Sequence, residues 1–264
     1  MPNSERPPRL YPDPSREPIR EFNAHNSEGR ENRVLITSER FISEGHFGVI
    51  YEVMARTIGA IPIPGNQPPF DTKRRAHEFP AIIKVFKNPA DAERALLIHE
   101  ASKKAGLRVL PTYRIDTGHG VAIMTELNSE NKVTLSSNNW NLRSGEVRIH
   151  AIENWAEMLT AYFEEAEKAA EQGIELKNDV YFFQVPTDTQ TPTLDFFAAD
   201  YDTIEFPSTL SPEALRISNT QRLYDSAAIF LHKYVEPKQW AKHNDILKKM
   251  VKKLLPPKSK TRQK

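Results

Sequence analysis

The hydrophobic period of the chain changes once, near residue 127, and that change divides the fold. From 34 to 127 the apolar residues gather in short runs rich in β-branched and aromatic side chains, broken by Gly or Pro: RVLITSERFI, GVIYEVMART, PAIIKVF, VLPTYRID and GVAIMTEL. One helical stretch interrupts them, ADAERALLIHEASKKAG, with Gly106 placed to end it. From about 147 the period becomes helical. In RIHAIENWAEMLTAYFEEAEKAAEQG, Ile149, Ile152, Trp155, Leu159 and Phe163 recur at spacings of three or four, up to a stop at Gly173. Two strand-like runs follow, DVYFFQV and TPTLDFFAADYDTIEF, and then two helices over about 212–234 and 237–254. The pattern predicts an α+β protein of two lobes, strand-rich at 34–127 and mainly helical at 128–255, with a cleft between them.

Composition removes several chemistries. The 264 residues include no cysteine, which excludes disulfides, Cys-ligated zinc and a thiol nucleophile. No H-x-x-x-H spacing, G-x-S-x-G turn or G-x-x-x-x-G-K-[ST] loop occurs. No apolar run is long enough to span a membrane, and MPNSERPPRLYPDP lacks the apolar core of a signal peptide, so a cytoplasmic location is expected. Residues 1–33, with six prolines in the first 20 positions, read as a disordered arm, and 256–264 as a basic tail. With 36 Lys+Arg against 35 Asp+Glu, the balance disfavours a general nucleic-acid coat. It leaves a local patch open. After Asp245 come eight bases and no acid, which is either the solvated face of a helix or a dock for nucleic acid, acidic protein or anionic lipid.

The chemistry gathers around two features of the first lobe. Ile42–Tyr51 places Gly45 and Gly48 three apart between strand-like flanks. Without Cβ atoms, backbone amides there can approach phosphate oxygens, although a plain hairpin turn would also use glycine. Further on, Lys84 lies inside the apolar strand Ala81-Ile82-Ile83-Lys84-Val85-Phe86. A lysine in such a strand is costly unless paired, and alternation puts it on the same face as Ile82.

These segments resemble the protein kinase family. Gly45, Phe47, Gly48 and Tyr51 fall on the glycine-rich loop pattern G-x-G-x-x-G-x-V, with Ser43 at the first glycine and Ile50 at the valine. The resemblance implies a five-stranded antiparallel N-lobe sheet with one helix and a reduced helical C-lobe. It implies that Gly45, Phe47 and Gly48 form the loop over the phosphates of ATP and that Ile50 covers the adenine. Lys84 would hold phosphate and be held by a helix carboxylate, Glu100 at family spacing or Glu93. Ile82 stands where the family has a small residue, and Ile58–Pro80 is a longer loop than usual. Thr125 would be the gatekeeper, with the Glu126–Asn128 backbone meeting the adenine edge.

The second lobe departs further. No His-Arg precedes Asp179, and Gln184 stands where the H-R-D-x-x-x-x-N pattern has Asn. In one register Asp179 orients the attacking hydroxyl and Gln184 helps hold Mg²⁺. In another, Glu175 takes the aspartate place and Asp179 lies near the asparagine. The strand into Asp200-Tyr201-Asp202 resembles D-F-G without its glycine and offers Asp200 as metal ligand, with Asp195 as the competing choice. The expectation is a divergent kinase that uses ATP and Mg²⁺ to phosphorylate a hydroxyl, most readily a protein Ser or Thr. A pseudokinase or interaction module, and a kinase-like small-molecule phosphotransferase, stand beside it. An acidic partner at the basic tail is a further expectation.

Overall fold

The computed structural model describes residues 20–25, 31–60, 78–117, 120–127, 132–136, 148–186, 192–201 and 204–255. The chain forms two compact units, 1–100 with 110–130, and 101–109 with 131–264. Asn128 and the Ile58–Pro80 loop between 61 and 77 lie outside the described residues, as does Asp202.

The first unit is built from β1 (Arg20–His25), β2 (Glu31–Glu44), β3 (Gly48–Ala60), β4 (Phe79–Phe86), β5 (Thr112–Thr117) and β6 (Gly120–Glu126), with α1 (Pro89–Lys104) following β4. Strands β2-β3-β4-β6-β5 are antiparallel neighbours, and β1 pairs with both β2 and β5, closing a six-stranded barrel. Closure removes both edges of what is otherwise an open five-stranded sheet. Three register shifts along the β2–β3 ladder, between Arg33 and Val34, Ile36 and Ser38, and Phe41 and Ser43, supply the bends that such coiling needs. The disordered arm expected over 1–33 is therefore corrected at Arg20–His25 and from Glu31 onward. A polar segment with no period of its own becomes a strand because two neighbours offer unpaired backbone groups.

Alternation divides the strands as the sequence predicts. Ala81 and Ile83 of β4 are fully enclosed among Tyr51, Val53, Ile115 and Met124 in the barrel interior. Ile82 and Lys84 take the other face. Helix α1 starts where the Asn88 side chain accepts the Ala90 N–H, and it stops before Gly106, whose φ of +72° only glycine adopts at low cost.

The second unit holds β7 (Lys132–Ser136), α2 (Trp155–Glu171), β8 (Tyr181–Pro186), β9 (Asp195–Ala198), α3 (Pro212–Tyr234) and α4 (Pro237–Leu254). The strands form the sheet β7-β8-β9, and Tyr162, Tyr181, Phe183, Phe196 and Phe230 pack in edge and tilted ring contacts to make its core. Helices α3 and α4 match the predicted spans. Each opens with Pro in its first turn, and Ser211 caps α3 by accepting the Ala214 N–H. Helix α2 starts at Trp155, six residues after the first residue of its stripe, Ile149. Ile149 and Ile152 are buried but not helical, because the Ile149 backbone pairs with Tyr234 and Glu236 and the Ile152 N–H donates to His243 Nε2. Among the described residues no helix is long and apolar enough to cross a membrane.

A buried carboxylate fixes the segment after α1. The fully enclosed Glu165 side chain accepts the Arg108 N–H at 2.8 Å and the Tyr181 hydroxyl at 3.0 Å, and it pairs with Lys168 Nζ at 3.1 Å. Three donors meet the condition under which a buried charge is tolerable. Burial and the Glu165 charge together push the Tyr181 hydroxyl well above its ordinary value. Residues 108–109 then run beside β9, with the Ala198 N–H donating to the Arg108 carbonyl at 2.8 Å.

Candidate functional site

The β2–β3 turn is closed by the Gly45 N–H donating to the Gly48 carbonyl at 2.8 Å, and the Phe47 carbonyl accepts the Lys87 N–H at 3.0 Å. The Gly45 amide is thus consumed by the turn. At the tip, the amides of His46 and Phe47 make no hydrogen bond with the described residues. The two glycines have different reasons to exist. A Cβ on Gly48 would sit 2.2 Å from the Val85 carbonyl oxygen, so the close approach of β3 to β4 requires glycine there. A Cβ on Gly45 would meet nothing nearer than 4.0 Å, and nothing in the fold demands glycine at that position.

Lys84 lies in register with Ile50 on β3 and Ile123 on β6, both buried, and its ammonium stands 5.5 Å from the Phe86 ring centre. The candidate helix carboxylates differ. Glu93 pairs with Arg114, which is the β5 neighbour of Ile123 in the same row. Glu100 has a buried Oε1 with no hydrogen-bond partner among the described residues, and His99 Nδ1 is 3.5 Å from it. Geometry therefore leaves Glu100 the carboxylate with capacity for another donor. Thr125 is buried, its hydroxyl 3.3 Å from that of Thr112. The Glu126 and Leu127 amides donate to the Pro111 and Pro80 carbonyls at 2.9 and 2.8 Å. Neither amide can therefore serve the adenine edge as the resemblance implies.

In the second unit, β8 and β9 carry the acids. The β8–β9 register runs from Gln184 opposite Asp195 to Tyr181 opposite Ala198, and the Ala199 N–H to Val180 carbonyl bond, 3.0 Å, extends it by one residue. Asp179 precedes Val180 and Asp200 follows Ala199, so both acids emerge at the same open end of the hairpin. The Asp179 carboxylate makes no hydrogen bond or ion pair with the described residues.

Gln184 is corrected as a companion ligand to Asp200. It lies opposite Asp195, three residues into β8 and about 10 Å from Tyr181 at ~3.3 Å per strand residue, and its side chain is buried with Nε2 unpartnered among the described residues. Asp195 lies beside it, joined to Arg108 Nη1 at 2.8 Å and accepting the Phe196 N–H at 2.9 Å, so a cation already holds it. Glu175, the alternative to Asp179, is also occupied. Lys177 Nζ at 3.2 Å and Arg222 Nη2 at 3.1 Å reach its Oε1, and the Ser208 hydroxyl donates to Oε2 at 3.2 Å. Burial acts to raise this carboxyl, but the Lys177, Ser208 and Arg222 contacts outweigh it and hold it below its ordinary value. Of the competing acids, Asp179 and Asp200 are the two that share one end of the hairpin.

Sequence reasoning missed a cavity of about 360 Å³ at the other end of the hairpin, lined by Arg108, Lys132, Asn154, Met158 and Asp195 among others. The Asn154 side-chain amide is spent on the Leu194 backbone, donating at 2.9 Å and accepting at 2.8 Å. No motif marks this cavity, because its lining comes from five separate chain segments. Among the described residues no group of three or more His, Asp and Glu side chains is placed to hold a metal ion. A Mg²⁺ bound through phosphates and water needs only one or two carboxylates, which the Asp179–Asp200 end can offer. No family model matches the chain, and no curated protein matches it.

Proposed function

We propose that the chain is a divergent kinase-like phosphotransferase that binds ATP with Mg²⁺ and transfers the γ-phosphoryl group to a hydroxyl. The observation that carries this reading is the common hairpin end of Asp179 and Asp200, two acids 21 positions apart in sequence brought together by one ladder. Such chemistry depends on positioning and charge neutralisation more than on covalent steps. In this reading Asp200 holds Mg²⁺, which neutralises charge on the phosphates when bound. Asp179 orients the acceptor hydroxyl and takes its proton. In the first unit the free amides of His46 and Phe47 and the Lys84 ammonium receive phosphate oxygens, with Glu100 holding Lys84. Ile50, the β3 neighbour of Lys84 in the ladder, is the residue assigned to cover the base.

A pseudokinase is the second reading, favoured by one observation. The register puts Gln184 opposite Asp195 at the far end of the hairpin, so the amide that the kinase pattern would supply to the metal is not beside Asp200. Incubation of the full chain with γ-labelled ATP, Mg²⁺ or Mn²⁺, and a mixed Ser/Thr peptide pool separates the two. Transfer that is lost in both Asp179→Ala and Asp200→Asn supports the enzyme. Nucleotide binding without transfer under either metal supports the binding module.

A further inference from the structure

We propose that the exposed face of α4 docks on the phosphate backbone of a nucleic-acid duplex. The helix buries His243, Asn244, Leu247 and Val251 and turns six lysines, 238, 242, 248, 249, 252 and 253, to solvent. None of the six makes a hydrogen bond or ion pair with the described residues. At about 100° per residue, Lys238, Lys242, Lys249 and Lys253 fall within an arc of about 60°. Asp245 is the one acid of the helix. Like charges one turn apart destabilise a helix, and only Asp245, one turn before Lys249, and the dipole at the last turn with Lys252 and Lys253 act against this.

The basicity is local. Residues 238–264 hold ten of the 36 Lys+Arg and one of the 35 Asp+Glu, leaving 26 bases against 34 acids in 1–237. The surface thus differs in sign from the rest of the chain, and its partner must be strongly anionic.

Three observations select the partner. The apolar face of α4 is already buried, so the helix cannot insert that face into a lipid interface. Its exposed face carries no arginine and no fully exposed aromatic, the residues that anchor protein interfaces, and is made of lysine, which such interfaces avoid. The four central lysines follow one another by about 6, 10.5 and 6 Å along the axis at 1.5 Å per residue. The row, about 22 Å long, presents repeated cations to a duplex that carries one negative charge per ~1.7 Å of its axis. Compact ammonium charges on a rod suit backbone binding without base readout.

The test is fluorescence anisotropy of the full chain against a labelled 20-base-pair mixed-sequence DNA duplex and its RNA counterpart, at 50 and 200 mM KCl. Four phosphate contacts predict a Kd rise of roughly 100-fold between the two salts. Lys238→Gln/Lys242→Gln/Lys249→Gln/Lys253→Gln should weaken binding at least tenfold at 50 mM and flatten the salt response, whereas Arg at the same four positions should restore both. Thermal unfolding of each variant checks that the fold is intact. No binding at 50 mM would make the lysines a solvated face. Equal binding by the Gln variant, or tighter binding to phosphatidylserine vesicles or polyglutamate than to either duplex, would also overturn the proposal.

Discussion

Asp179 and Asp200 flank one backbone hydrogen bond, the Ala199 N–H to the Val180 carbonyl at 3.0 Å, that closes the β8–β9 hairpin at its open end. Glu175, four residues before Asp179, is enclosed by Lys177, Arg222 and Ser208. A carboxylate without partners and one with three have opposite consequences for stability. Asp179→Asn should change unfolding stability by less than about 0.5 kcal/mol. Glu175→Gln should cost about 1.5–3 kcal/mol, because it weakens hydrogen bonds to a charged group. Chemical denaturation of both variants at pH 7 measures this. The Glu175 deficit has a defined pH window. Its folded value lies below the ordinary 4.5, so the contribution is complete above that pH and is lost as pH falls through the folded value. The stability gap between wild type and Glu175→Gln should therefore close in acid. A gap that persists there would mean the ion contacts are not its source.

The two glycines of the β2–β3 turn should separate fold from function. Gly48→Ala drives a Cβ to within 2.2 Å of a carbonyl oxygen on β4 and should destabilise the protein by at least ~1–3 kcal/mol, the range for overpacking. Gly45→Ala has room and should leave the melting temperature nearly unchanged, while a Cβ beside the free tip amides should weaken nucleotide binding. Calorimetric unfolding and a nucleotide titration of both variants distinguish these effects.

His243 ties α4 to the start of α2. Its Nε2 accepts the Ile152 N–H at 3.2 Å, its carbonyl accepts from Trp155 Nε1 at 2.9 Å, and the Trp155 ring meets its edge. Burial, with help from the Lys242 charge, lowers its pKa below 6.5. The neutral ring is the folded form, so stability is complete above pH 6.5 and declines as pH falls through the folded value. Denaturation midpoints at pH 7.5 and 5.5 should differ in wild type and differ less in His243→Gln.

Periodic elements were legible in the sequence. The spans of α3 and α4 agree because apolar period and Pro at the first turn mark the same boundaries in both, with a Ser cap added at α3. Likewise, the alternation around Lys84 follows from the strand period alone. What local pattern could not supply was anything set by pairing partners. Barrel closure by β1 depends on open edges of β2 and β5, and β7 is five residues long. The late start of α2 depends on Val235 and His243, more than 80 positions away. For the same reason, motif spacing put Gln184 next to Asp200, whereas the hairpin register puts it opposite Asp195. Spacing along a loop and spacing along a strand convert to distance differently, and the motif assumed a loop.

The most direct measurement is isothermal titration of ATP into the full chain with and without Mg²⁺, for wild type, Asp200→Asn and Lys84→Met. The account predicts tighter binding with Mg²⁺ in wild type, loss of that Mg²⁺ dependence in Asp200→Asn, and weak binding under both conditions in Lys84→Met. Wild-type affinity that ignores Mg²⁺, or an Asp200→Asn titration indistinguishable from wild type, would contradict it.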